Sequence, residues 1–479
     1  MALTQLSALD ASFVRLEAPS VHMHVTWIAF FAPDGERPRP TVEALRASIA
    51  ARLPLMPRFR QRLVSPPAAM GDPFWADDPD FRVAAHVEGY TAPDEAMDLA
   101  SFDSLTDALL SDPLDRRRPL WHLVLVPRLQ DGRVGLIGRF HHALVDGTSA
   151  MELGLVLFDA ADAPPPEAGG DGDWRPAPLP DPARLAVATV AGRLGQARRA
   201  AARALGATRA PAAAASALVT SLTRASAALR EDVLEPAPPS HLNRPVGSAR
   251  TVARRRLPAT ALVAVKEAAE VTLNDVGLAL VAGTLRRLAL ELGEPPRALK
   301  AMVPVSLHPE DDRARFGNAL SFVFLELPLN RADPATRLAL VHERTERFKT
   351  VRRPAATALA IDALAVAPAP LRTGLARAAN SARMFNLSVS NVRGPRRPFY
   401  LLGAELDEAY TLAPLGAEHA LSVAFFTYRD GVHFAFQVDP DVLPDVDGLP
   451  AALDAELDAL TKAFAPPERT RSPALTTDN

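Results

Sequence analysis

The sequence predicts an α+β protein whose two halves each stack helices on a sheet, the halves being joined by a long, partly helical linker. Three observations predict it. Strand-like and helix-like stretches are mixed in both halves and do not alternate strictly, which argues against a doubly wound parallel sheet. A proline-rich break separates the halves. The chain of 479 residues, 48% hydrophobic and 23% charged, can bury the cores of two or three ordinary domains.

In the first half Thr26 to Ala32 and Trp121 to Val126 read as buried strands. Between them Thr41 to Leu53 reads as a helix, with Val42, Leu45, Ile49 and Leu53 at helical spacing. The break opens after Ala163 with Pro164, Pro165, Pro166 and a Gly/Asp cluster, and closes with Pro236, Pro238 and Pro239. In the second half Leu299–Val305, Leu320–Leu327, Met384–Ser390, Leu421–Tyr428 and Val432–Val438 read as strands. Asp275–Leu292 and Ala335–Thr350 read as helices, the first stopped by Gly293 and two prolines. The expected domains are 1–163, a linker over 164–245, a C-terminal domain over 246–465, and a polar, disordered tail over 466–479.

A net charge of −3 gives no reason to expect a nucleic-acid partner. Cysteine is absent, which excludes thiolate catalysis, cysteine metal sites and disulfides. Neither a secretory leader nor a membrane-spanning run of about 18 apolar residues is expected. The expected location is cytoplasmic, with peripheral contact at a membrane or lipid droplet considered below.

The chemically informative segment runs from Arg133 to Ala150. Val134, Leu136, Gly138 and Phe140 alternate with Ile137 and Arg139, a strand signature. Asp146, Gly147, Thr148 and Ser149 then turn the chain, and Ser149 with Glu152 forms a capping box for a helix over Met151–Phe158. His141 and His142 therefore stand at a strand end beside a tight turn, held by the strand and reachable from the loop. A neutral imidazole is the natural base for removing a hydroxyl proton near pH 7. Asp146 is expected to brace the loop, and Gly147 to take a positive φ or turn a backbone N–H toward substrate. Adjacent strand residues point to opposite faces, so one His of the pair can be core. They cannot readily chelate one ion, and no H-E-x-x-H helix occurs, so no metal is expected.

The segment resembles the HHxxxDG motif of the CoA-dependent acyltransferase superfamily, to which chloramphenicol acetyltransferase and peptide-synthetase condensation domains belong. Other segments narrow the resemblance to the bacterial wax ester synthase/diacylglycerol acyltransferase family. They are Leu6-Ser-Ala-Leu-Asp10-Ala-Ser-Phe13, His22-Met-His24-Val25, Pro57-Arg-Phe-Arg-Gln-Arg-Leu63, Pro119-Leu-Trp121, Leu242-Asn-Arg-Pro245, Asn274-Asp275, Val303-Pro-Val-Ser306, Gly317-Asn318 and Asn391-Val-Arg-Gly-Pro395. The resemblance runs from near residue 4 to about 464.

It implies two chloramphenicol-acetyltransferase-like domains around a central tunnel. It also implies His142 as base with His141 and Asp146 in support, Asn274 and Asp275 as a second important pair, and Asn391 to Pro395, Gly394 among them, at the domain interface. Ser306 is followed by Leu307-His308, where the family commonly has an Arg. The implied activity is O-acyl transfer from acyl-CoA, a substrate and not a bound cofactor, to diacylglycerol or a long-chain alcohol. Oxyanion donors would come from backbone N–H groups near Gly147 or from the Asn274 amide. A carrier-protein thioester as donor with another hydroxyl as acceptor is the alternative among enzymes. A non-catalytic lipid-binding or droplet-coating protein is the alternative of another class.

Plainer readings stand beside these. Asn274 also suits a helix N-cap. Gly394-Pro395 suits a turn, Trp121 suits packing, and Arg116 to Arg118 suit a solvated face, though CoA phosphates could use them. Finally, residues 182–230 carry eight Arg and no Asp or Glu. Val187, Val190, Leu194, Ala197, Ala201 and Leu205 fall on one stripe of a helix, and after Pro211 the residues Leu218, Leu222 and Leu229 suggest a second. A basic amphipathic helix is the pattern of a membrane-interface segment, and equally of an inter-domain helix kept soluble by Arg.

Overall fold

The structure, a computed structural model, describes residues 3–33, 35, 38–90, 95–144, 154, 157–159, 174–209, 235–306, 320–350, 369–395 and 397–465. The N-terminal half runs β1 (Thr4–Gln5), α1 (Ala8–Leu16), β2 (His24–Ala32), α2 (Val42–Arg52), β3 (Gln61–Val64), β4 (Phe74–Asp77), β5 (Val87–Gly89), α3 (Leu99–Ser111), β6 (Trp121–Val126) and β7 (Val134–His141). The helix α4 (Pro182–Arg209) follows. The C-terminal half runs β8 (Thr251–Pro258), α5 (Ala259–Ala268), α6 (Leu273–Glu291), β9 (Leu299–Ser306), β10 (Leu320–Leu327), α7 (Pro334–Thr350), α8 (Ala369–Ala379), β11 (Leu387–Arg393), β12 (Tyr400–Leu401), β13 (Ala404–Leu412), β14 (Leu421–Tyr428), β15 (Gly431–Val438) and α9 (Gly448–Ala463).

Two six-stranded sheets organise the molecule. The first has the order β12-β13-β2-β7-β6-β5 and the second β10-β9-β11-β14-β15-β8. Both mix parallel and antiparallel pairs: β5 runs parallel to β6, and β11 runs parallel to both β9 and β14. This is the mixed α+β arrangement expected. One part of the expected division differs. Residues 400–412, assigned with 246–465, leave the second sheet and complete the first through the β13–β2 pair. A second sheet crossed by its own chain in this way ties the halves together.

The second sheet is covered by α5, α6, α7 and α9. Its core joins Val276, Leu280 and Val281 of α6 to Val389, Phe425 and Phe434 of the sheet. Each such fully buried side chain contributes about 1.5–3 kcal/mol of transfer free energy. Thr272 caps α6 in a reciprocal box with Asp275, and Gly293, at φ +71°, ends it as expected. The core around the first sheet takes in Phe31, Trp121 and Phe140, and also Phe426 and Tyr428 from β14, so the two cores meet there.

Several expectations shift in detail. The strand placed at Met384–Ser390 begins three residues later, because Met384 closes a turn onto Ser381 and Asn386 bonds the Lys300 backbone before pairing starts. β8 was hidden by Arg254, Arg255 and Arg256. As an edge strand it needs only one partner, and its arginines are tied off by Asp103, Asp454 and Asp430. The capping box Ser149/Glu152, residues 145–153 and the second linker helix after Pro211 lie outside the described residues.

Candidate active site

The site begins with register. The antiparallel pairing of β2 and β7 sets His141 opposite His24, so the strand end that carries the histidine pair is fixed by two backbones. His142 then leaves the strand, and its N–H donates to the Met23 carbonyl at 2.8 Å. The alternation of strand side chains sends the two rings different ways. His141 is 1% exposed and His142 is partly accessible.

The tautomer of His141 follows from one hydrogen bond. Its Nδ1 accepts from the Ala143 N–H at 3.0 Å, so the proton resides on Nε2. Nε2 lies 3.3 Å from Oε1 of Glu17, so the carboxylate faces the N–H end of the ring, though the two are not aligned as a hydrogen bond. Burial of Glu17 raises its pKa, but His141 and then Arg116 outweigh that and hold the carboxyl down at about 2. Arg116 donates from Nε to Glu17 Oε2 at 2.7 Å and from Nη2 to the Val14 carbonyl at 2.8 Å. The basic run is thus not a purely solvated face: Arg116 braces the carboxylate beside His141, whereas Arg117 bonds its neighbour Asp115.

His142 sits against an aromatic wall. The ring of Phe13, from α1, stacks on it with centroids 3.9 Å apart and planes 23° apart. Burial pushes the His142 pKa down to about 4, with His141 adding to the fall and the His142 backbone opposing it. The ring is therefore neutral at physiological pH. Its Nδ1 is enclosed and has no hydrogen-bond partner among the described residues. Behind the pair, burial and the Arg139 charge hold His24 well below the usual histidine range, and its Nε2 accepts from the Leu114 N–H at 3.2 Å.

A second cluster belongs to the other half. Asn391, on β11, donates from Nδ2 to Oδ1 of Asn274 at 2.9 Å. Asn274 is not the N-cap of α6, since Thr272 accepts from the Asp275 N–H and fills that role. The Asn274 side chain is thereby released from capping and paired across to the sheet. Asp275 is wholly buried. It accepts from the Thr272 N–H at 3.0 Å and from the Thr345 hydroxyl at 2.6 Å, and lies 2.9 Å from His342 Nδ1. Burial raises its pKa, but the bonds from Thr345, His342 and Thr272 outweigh it and leave the group below the ordinary value. Asp275 is accordingly a structural carboxylate that anchors α6 to α7.

Gly394 has a steric reason. A Cβ there would fall 2.2 Å from the Thr427 carbonyl oxygen, to which its own N–H donates at 2.8 Å. Trp121 is packed core, with its indole N–H on the Phe59 carbonyl at 2.8 Å and its ring stacked on His86. Ser306 ends β9, and its side chain lies outside the described set, as do Asp146 and Gly147. No hydrogen bond or ring contact joins the His142 and Asn274 clusters among the described residues, nor do three His, Asp or Glu side chains converge there as a metal site requires.

Sequence reasoning passed over Glu17 as the neighbour of His141, Arg116 as the brace of Glu17, and Phe13 as the wall of His142. Phe13 lies in the quoted opening segment. Glu17 is a lone acid after a short helix, and no local pattern separates it from a solvated one.

Comparison with known proteins gives this geometry its context. Residues 6–277 match the wax ester synthase/diacylglycerol acyltransferase catalytic domain, and residues 316–461 match the WS/DGAT C-terminal domain. The probable diacylglycerol O-acyltransferase tgs1 of Mycobacterium tuberculosis is 30% identical over 471 residues, covering 96% of this chain and 97% of that protein. A putative diacylglycerol O-acyltransferase of the same organism is 33% identical over 468 residues, covering 96% and 99%. Among solved structures, the wax ester synthase/diacylglycerol acyltransferase from Marinobacter aquaeolei superposes with a TM-score of 0.66 at 24% identity, covering 96% of this chain and 99% of that one. The first condensation domain of the calcium-dependent antibiotic synthetase superposes with a TM-score of 0.60 at 18% identity, covering 97% of each, and so shares the fold. The chain belongs to the wax ester synthase/diacylglycerol acyltransferase family and is an O-acyltransferase.

Proposed function

We propose that this protein transfers an acyl group from acyl-CoA to the hydroxyl of diacylglycerol or a long-chain alcohol, with His142 as general base. The observation that carries the reading is the neutral His142 ring at the end of β7, its backbone held by the Met23 carbonyl and its ring stacked on the face of Phe13. A ring this weakly basic takes no proton from water near pH 7. It takes one from the alcohol as the oxygen bonds to the thioester carbon and becomes acidic. The C–O bond forms, a tetrahedral oxyanion develops, and the imidazolium returns its proton to the CoA sulfur as the C–S bond breaks. Glu17, held ionised beside His141, favours positive charge on the adjoining ring in that interval. The Asn274 amide is a candidate oxyanion donor because its Oδ1 is already occupied by Asn391. The chain has no Cys and no G-x-S-x-G elbow, so direct transfer is favoured over an acyl-enzyme. Acyl-CoA is the donor, and the reading invokes no other bound cofactor and no metal.

Incubating the pure protein with labelled acyl-CoA and either dioleoylglycerol or hexadecanol tests the assignment. Labelled triacylglycerol or wax ester is expected. Transfer only from a carrier-protein thioester would favour the other donor class, and no transfer to any hydroxyl would leave lipid binding as the function.

A further inference from the structure

Over its described side chains, the helix α4 buries one narrow face against the protein. Leu185 and Thr189 are buried, and Gly192 follows at helical spacing. A Cβ on Gly71 would meet Thr189 Cγ2 at 2.6 Å, and one on Gly192 would meet Gln5 Oε1 at 3.1 Å, which marks where the helix rests. At roughly 100° per residue, Val187, Val190 and Leu194 point the opposite way. They are 69%, 48% and 57% exposed. The helix buries Leu185 and Thr189 yet turns a row of Val and Leu outward, so apolar side chains face solvent on the side opposite its contact with the protein.

A second helix does the same at the same place. Arg372 of α8 is buried and pairs with Asp72 at 2.5 Å, and Asp72 also holds Arg15 of α1. Leu371 and Leu375, one turn apart on α8, are 55% and 48% exposed. Thus α4 and α8 are both anchored on the short segment Met70-Gly71-Asp72, and Met70 is itself exposed. α8 packs on α1, the helix that supplies Phe13 to His142. Neither α4 nor α8 contains an acidic residue, and Arg193 of α4 and Arg377 of α8 are exposed. Arg184 and Arg198 stand exposed on α4 beside the apolar row. Among the described residues no single helix is long and apolar enough to cross a bilayer.

We propose that the outward faces of α4 and α8, joined through Met70, dock the enzyme on an anionic lipid surface, setting α1 and the His142 site beside the phase that holds the acceptor. The apolar row inserts shallowly among acyl chains, and the arginines meet lipid phosphates. The proposal rests on the acyltransferase reading for the identity of the acceptor, but docking is read without any turnover.

The test is flotation of the full chain with vesicles of phosphatidylcholine alone or with one quarter phosphatidylglycerol. Binding at least about tenfold stronger to the anionic vesicles, weakened by 0.5 M salt, is expected. The triple variant Val187→Ser/Val190→Ser/Leu194→Ser and the double variant Leu371→Ser/Leu375→Ser should each lose at least about tenfold in binding. Arg184→Gln/Arg198→Gln should lose several-fold and flatten the salt dependence. Circular dichroism melts and transfer to a water-soluble short-chain alcohol should stay at wild-type values. Absent vesicle binding by wild type, or unchanged binding in both apolar variants, overturns the proposal. So does a concentration-dependent dimer that these variants dissociate while vesicle binding persists, since the face would then belong to a second copy. Loss of transfer with vesicle binding intact would count against the acyltransferase reading alone.

Discussion

The ring of Phe13 lies 3.9 Å from the ring of His142, nearly parallel to it, and thereby removes one face of the imidazole from water. That contact couples α1 to the end of β7, and it helps explain why His142 stays neutral down to about pH 4.

Phe13→Ala should therefore change both rate and pH dependence. An aromatic pair contributes about 0.5–1.5 kcal/mol, so kcat is expected to fall about two- to tenfold with little change in KM. Activity requires the neutral ring and is lost as pH falls through its pKa. The acid limb of kcat/KM should lie near pH 4 in wild type and move up toward 6.5 in the variant, as burial is relieved. A variant with an unmoved acid limb would show that the stack has no part in the protonation of His142.

Glu17→Gln should destabilise the fold in a pH-dependent manner. The folded carboxyl titrates at about 2 against an ordinary value of 4.5. Its contribution is therefore complete above 4.5 and is lost as pH falls through 2, amounting to on the order of 3 kcal/mol at neutral pH. Urea melts at pH 7 should show the variant weaker by an amount of that order. The gap should close between pH 4.5 and 2, and a gap independent of pH would contradict the ion pair with Arg116 and the contact with His141.

Thr272 and Asn274 separate capping from chemistry within the first turn of one helix. Thr272→Ala removes the cap and should cost about 1 kcal/mol of stability with near-normal kinetics. Asn274→Ala should lower kcat more than it raises KM, and Asn391→Ala should reproduce part of that loss by freeing the Asn274 side chain. A double-mutant cycle checks the pair, with a coupling of about 0.5–1.5 kcal/mol expected. Additive effects would mean that the 2.9 Å bond carries nothing into turnover.

Much of this molecule is legible from periodicity. β6, β10 and β14 occupy the residues their apolar runs indicate, and Gly293 ends α6 where a left-handed residue is needed. The histidine pair was likewise legible because a strand pattern runs straight into it. What escaped is non-local. Nothing near Ala404–Leu412 says that it crosses to pair with β2, because strand pairing across several hundred residues leaves no local mark. The Arg-rich β8 has no apolar run to mark it as a strand, and the three acids that pair its arginines come from distant segments. Glu17 meets His141, and Arg116 meets Glu17, only through tertiary contact, and the cap of α6 falls two residues before the Asn that seemed suited to it.

The central claim is that His142 takes the proton of the acceptor hydroxyl, and single-turnover transfer from labelled acyl-CoA by wild type and His142→Ala measures it most directly. General-base loss costs about 10²–10⁴-fold, so the variant should fall by that factor with its melting behaviour intact, while His141→Ala, which removes the buried partner of Glu17, should lose stability as well as rate. A folded His142→Ala protein that transfers acyl groups at a rate near that of wild type would contradict the mechanism.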